Sequence, residues 1–340
     1  MPVVPILTLL VVSLARLASL SAEQKAPPAG TAAVVAQARS LIDRNEPAAA
    51  IRKLHRLPDL SSPQIRYLLA VAYYRIDNHG QAIEQLEPVL AMFPKGSIEH
   101  REVVQIFGLS QYLTGHIAES IPYLEQVAAW RPDSAEYAHI LGRAYLQTRR
   151  YRKARESFAR MFRVASESAA AHLLTAQMMM PIGFDEHAER ELKQALQKDP
   201  RLPQANFFLG QMALFSARLA EAVTFLKREI EINPGYAMAF YRLGDAYILQ
   251  GKLDEAIEPL QKSIRLNDQY SGPYVLLGKT YLKRRQLANA EGFLQQAIQL
   301  DPNNKSAHYL LARVLQRMGR HEEAKKELEV TERLHGDAEP

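Results

Sequence analysis

From Tyr241 to Ile264 the apolar and small residues recur at helical spacing twice in succession. Tyr241, Leu243, Gly244 and Tyr247 share one face of a first helix, and Ala256, Ile257, Leu260, Ser263 and Ile264 share one face of a second. Gly251 lies between the two runs, where glycine can take the left-handed conformation that closes a helix. The predicted element is a pair of short helices joined by a tight turn. Gly244 is the odd member of the pattern. A glycine in a helix interior costs about 1 kcal/mol relative to alanine, so a compensating contact is expected, and a close approach of the two helices would supply it.

The same pattern recurs along the chain. Gly210, Gly244, Gly278 and Ala312 are 34 residues apart, as are Ala222, Ala256, Ala290 and Ala324. Ala176, Gly142 and Gly108 extend the first ladder backwards, and Ala188, Ala154 and Ser120 extend the second. Pro200, Pro234 and Pro302 stop the second helix of their units, with Asp268 in the skipped slot. A fixed period of this length is the mark of a repeat architecture in which each unit is one supersecondary element.

A large residue, a glycine and a tyrosine on the first helix, then alanines and a proline on the second, resemble the tetratricopeptide repeat over nearly all of the chain beyond residue 30. The resemblance implies an all-α fold, a right-handed superhelical solenoid of helix-turn-helix units. Nine unit starts are placed at 31, 63, 101, 135, 169, 203, 237, 271 and 305, giving a solenoid over 31–338. The first unit is short and degenerate, and the unit from 63 is followed by an insertion around Lys95 to His100. The tryptophan usual near a unit start is absent, its place taken by Tyr67, Phe207, Phe240 or smaller residues. Pro181 falls late in the first helix of the unit from 169 and is expected to end that helix early, before Gly183.

Residues 1–30 are different in kind. Val3 to Ala15 is an apolar run of signal-peptide length, short of the roughly 20 residues that span a bilayer. Small residues around Ala22 offer a cleavage site, and a Pro/Ala/Gly linker covers 23–30. Export is the expectation for 1–22. The alternative is an uncleaved membrane anchor, because Arg16 and Lys25 follow the run and no basic residue precedes it.

Composition narrows the chemistry. The 340 residues are 47% hydrophobic and 23% charged, an ordered composition. A net charge of +5 from 42 basic and 37 acidic residues is too mixed for a nucleic-acid footprint. The densest cluster, Arg149 to Arg155, straddles an ordinary helix turn and reads as solvated. The absence of cysteine excludes disulfides, thiolate metal sites and cysteine nucleophiles. No nucleophile elbow, phosphate loop or paired-histidine metal motif occurs, and His187 reads as solvation near a helix N-terminus. Neither an enzyme nor a cofactor or metal is expected.

What remains is binding. In the family, the first helices line a concave groove for peptides. By resemblance the groove stripe is positions 2, 5, 9 and 12 of each unit: Leu173, Gln177 and Met180, then Gln204, Phe207, Gln211 and Leu214, then Met238, Tyr241 and Asp245. Phe207, Met238 and Tyr241 are the expected apolar contacts, with Gln177, Gln211 and Asp245 as polar partners for a peptide backbone. Further on the character of the face turns basic, at Lys279, Lys283, Arg313 and Arg317, which favours an acidic segment at that end. The asparagines of the family's carboxylate clamp are missing. The expected partners are protein or peptide segments; nucleic acid is not expected, and membrane contact is expected only through 1–22 if that segment stays uncleaved. The alternative is a structural or assembly component of a cell-envelope or secretion machine that uses its convex face and ends.

Overall fold

The computed structural model describes residues 29–336, so the segment read as a signal peptide or anchor lies outside the described residues. The chain divides into two compact units, residues 1–123 and 124–340. The first carries α1 (Ala29–Asp43), α2 (Pro47–Leu54), α3 (Pro63–Arg75), α4 (His79–Leu86), α5 (Ile98–Leu113) and the start of α6 (Ile117–Trp130). The second carries α7 (Ala135–Gln147), α8 (Tyr151–Phe162), α9 (Ala169–Met179), α10 (Asp185–Lys198), α11 (Ala205–Phe215) and α12 (Leu219–Ile232). It continues with α13 (Ala237–Leu249), α14 (Leu253–Leu266), α15 (Ser271–Lys283), α16 (Leu287–Leu300), α17 (Lys305–Arg317) and α18 (His321–Gly336). The described residues contain no strand. Residues 29 and 30, read from the sequence as the end of the linker, already belong to α1.

Odd-numbered helices are the first, or A, helix of each pair and even-numbered ones the second, or B. Capping fixes several starts. The side chains of Ser134, Ser168 and Asn304 accept the backbone N–H groups of Tyr137, Ala171 and Ala307, satisfying donors that the first helical turn leaves without a partner. Gly251 closes α13 with φ +78°. Pro181 ends α9 at Met179, and the chain passes through a single 3-10 turn, Met180–Ile182, into the left-handed Gly183.

The glycine ladder is a packing device. A Cβ on Gly244 would lie 2.5 Å from Leu260 Cγ, one on Gly278 2.5 Å from Leu294 Cγ, and one on Gly210 2.7 Å from Leu226 Cγ. Each glycine gives up helix propensity so that a fully buried leucine of the B helix can rest on the A-helix backbone. The alanine ladder answers from the other side: Ala222, Ala256 and Ala290 are wholly buried. Ala256→Leu is therefore expected to overpack the α13/α14 contact, at about 1–3 kcal/mol. Because units of this kind contact mainly their neighbours, hydrogen exchange should show lost protection concentrated in α11 to α16. Uniform loss across both units would contradict that locality.

In the second unit each B helix also packs on the A helix that follows it. The A helices touch one another as well, α11 with α13, α13 with α15 and α15 with α17. No pair of B helices makes a comparable contact among the described residues. A stack whose A helices lie closer than its B helices bends toward the A side, so from α11 to α17 the A face is the inner face. Partly exposed ion pairs clip successive pairs together: Arg218 to Glu189 at 2.8 Å and Arg320 to Glu291 at 2.6 Å occupy the same repeat positions. Exposed pairs of this sort contribute about 1 kcal/mol or less each.

The first unit is built by the same means around Ile65, Leu68, Leu69, Ala82 and Leu86. Tyr67 donates its hydroxyl to Glu102 across the α3/α5 contact, and burial raises the pKa of both groups.

Candidate functional site

The candidate site is the A-helix face of the second unit. Gln211, Asp245, Lys279 and Arg313 occupy one repeat position on α11, α13, α15 and α17. Because these helices touch in order, the four side chains form a row that crosses the helix axes. Gln211, Asp245 and Lys279 are half-buried and Arg313 is exposed. Asp245 has Arg242 at 3.9 Å on its own helix. Burial pushes its carboxyl above the usual range, and the charges of Arg242 and Lys279 pull it back. Lys279 is thus the electrostatic neighbour of Asp245 across the α13/α15 contact. Arg313 lies over the Tyr309 ring, 5.8 Å from its centroid, and Arg317 Nη1 donates to the Leu282 carbonyl at 3.3 Å. None of Lys279, Lys283, Arg313 and Arg317 is held in an ion pair with a carboxylate among the described residues.

One aromatic contact read from the sequence needs correction. Phe207 is only 4% exposed: the Tyr236 ring covers it edge-on at 4.9 Å, with Phe208 at 5.3 Å on another side. It belongs to the core between pairs and is no principal contact for a partner. Leu173 is likewise buried. Tyr241 is half-buried under Tyr270, centroids 5.3 Å apart, in the arrangement that Tyr236 makes with Phe207 one unit earlier. Leu214 and Met238 are half-buried against the Phe207 cluster. Met180 sits in the 3-10 turn beyond α9, outside any helical stripe. Gln177, on α9, is half-buried.

Gln204 precedes α11 in a left-handed conformation, φ +71°. Its backbone N–H donates to Glu229 Oε1 at 2.8 Å. Glu229 is fully buried, and burial raises its pKa against the opposing pull of the Gln204 and Phe207 N–H groups. It is a carboxylate cap for α11, delivered from α12. Helical periodicity did not show this role, but there was a signal: the same repeat position holds Ala195, Ser263 and Ala297 elsewhere, and only here a glutamate.

Two other features escaped the stripe reading. Phe215, the last residue of α11, is 76% exposed, and Leu249, the last residue of α13, is 50% exposed. They hold one repeat position, a single residue beyond the stripe. Elsewhere, no group of three metal-ligating side chains is close enough to hold an ion, and no helix is long and apolar enough to cross a membrane, among the described residues.

Comparison with known families agrees with the helix pairing. Tetratricopeptide repeat models match residues 35–97 and 186–237, 113–178 and 281–339, 225–258 and 244–284. Together they span well over half of the chain, which belongs to the tetratricopeptide repeat family. The family is one of protein-interaction scaffolds, so proteins are the class of partner this fold serves. No curated protein matches the chain. Among solved structures, it is similar to MamA, residues 41 to the end, from Desulfovibrio magneticus RS-1, at 23% identity and TM-score 0.47, covering 51% of this chain and 97% of that one. It is similar to pilF of Pseudomonas aeruginosa at 22% identity and TM-score 0.49, covering 61% and 94%. A third is YrrB, described as a TPR protein with an unusual peptide-binding site, at 19% identity and TM-score 0.46, covering 54% and 95%.

Proposed function

We propose that this protein is an interaction scaffold that holds a segment of a partner protein across the A-helix face of its second unit. The observation that carries the reading is the row Gln211, Asp245, Lys279 and Arg313: polar and charged side chains at one repeat position on four touching helices. Packing alone has little use for an amide, a carboxylate and two cations in that place. A peptide backbone needs hydrogen-bonding partners spaced along its length, and a repeat surface supplies them at regular intervals. The two cations, with Lys283 and Arg317 one turn further on, favour an acidic stretch at the α15/α17 end.

The test is capture of partners by the full chain from the native host, followed by affinity measurement with Lys279→Glu/Arg313→Glu. Binding should weaken by about tenfold at low salt, with the difference from the parent shrinking as ionic strength rises past the point where exposed charges are screened. Unchanged affinity of the captured partner for this variant would overturn the assignment of the site.

A further inference from the structure

The last residues of the four touching A helices form a second row beside the polar one: Phe215 on α11, Leu249 on α13, Lys283 on α15 and Arg317 on α17. All four are exposed. The hydrogen bond from Arg317 to the Leu282 carbonyl shows directly that the ends of α15 and α17 are neighbours. Lys283 and Arg317 have an ordinary explanation, since cations at helix C-termini meet the negative end of the helix dipole. Phe215 and Leu249 have none. Single exposed apolar residues are common on protein surfaces, but here two large ones hold the same repeat position on adjacent helices, and the next two helices put cations in that position. The edge therefore changes from apolar to basic along its length, with no carboxylate paired to the basic end among the described residues.

We propose that this edge sets the identity of the bound segment: an extended stretch of a partner protein with large apolar side chains at one end and carboxylates at the other. The proposal rests on the reading that the A face binds a partner, and it names the chemistry of that partner. The apolar end covers Phe215 and Leu249, removing them from water, and the carboxylates reach Lys283 and Arg317. Geometry sets the length. Three helix-to-helix steps of about 8–10 Å each are spanned by about seven to nine residues of extended chain at roughly 3.3 Å per residue. The polar row one turn away, Gln211 to Arg313, then lies beside the backbone of the same segment.

The test is selection of a random peptide display library on the full chain, with cross-linking of the enriched peptides to map where they sit. Enriched sequences should carry a pair of large apolar residues and a pair of acidic residues separated by about four to six positions. They should cross-link to α11, α13, α15 and α17. Phe215→Ser/Leu249→Ser should weaken their binding about tenfold at any salt concentration, and Lys283→Glu/Arg317→Glu by a similar factor that shrinks with added NaCl. These side chains are exposed, so circular dichroism should show both variants folded. Peptides that cross-link to the face but bind both variants unchanged would overturn this proposal and leave the binding face standing. Selection that enriches no peptide on the A face would overturn both.

Discussion

Glu191→Ala is expected to lower the stability of the region α8 to α10 by about 3 kcal/mol. Its carboxylate joins three helices: Oε2 accepts from His172 Nδ1 at 2.6 Å, and Oε1 from Arg155 Nη1 at 3.3 Å. Removing one member of a buried ionic group leaves the others desolvated and unpaired, at about 3–5 kcal/mol. The low end applies because Arg155 keeps Glu167 at 2.7 Å and the Ser166 carbonyl at 3.0 Å. The chain contains its own control. His308 and Glu327 repeat the pair at 2.6 Å in the corresponding positions of α17 and α18. Among the described residues no arginine joins them, Glu327 is 25% exposed against 12% for Glu191, and His308 Nε2 keeps the Pro302 carbonyl at 3.0 Å. Glu327→Ala should therefore cost about 1 kcal/mol. Hydrogen exchange resolved by helix distinguishes the two, and an equal loss in both variants would contradict the network reading.

Phe158→Ala is expected to cost about 3–5 kcal/mol, the range for emptying an aromatic side chain from a core. Phe158 is wholly buried in α8 and rests on the backbone of α7 at Gly142, where a Cβ would come within 2.3 Å of the ring. The five following pairs hold Leu192, Leu226, Leu260, Leu294 and Leu328 at that position. Phe158→Leu therefore supplies the side chain the architecture uses elsewhere, and should cost less than about 1.5 kcal/mol. Urea unfolding of the two variants checks the ordering. Comparable losses would mean that the Phe158–Gly142 contact is not what joins α7 to α8.

These two contacts differ in how far the sequence revealed them. The Gly142–Phe158 contact was foreshadowed by the small-residue ladder, because a period of 34 and a volume constraint are both written in residue type. The His172–Glu191–Arg155 group was not, since it needs three helices in place before its members meet. The candidate site divides the same way. The row Gln211, Asp245, Lys279 and Arg313 was legible because one repeat position on touching helices makes a row. Phe207 was misjudged because helical periodicity counts faces, and Tyr236, which covers it, stands just ahead of the next A helix. Phe215 and Leu249 were missed for the converse reason. As terminal residues of their helices they lie one position beyond the stripe, where no following turn covers them.

The most direct test of the account is hydrogen exchange of the full chain with and without a captured partner. Binding should add protection in α11, α13, α15 and α17, strongest in their C-terminal halves, while the B helices and residues 29–123 change little. Protection gained on the B helices, or confined to the first unit, would contradict it.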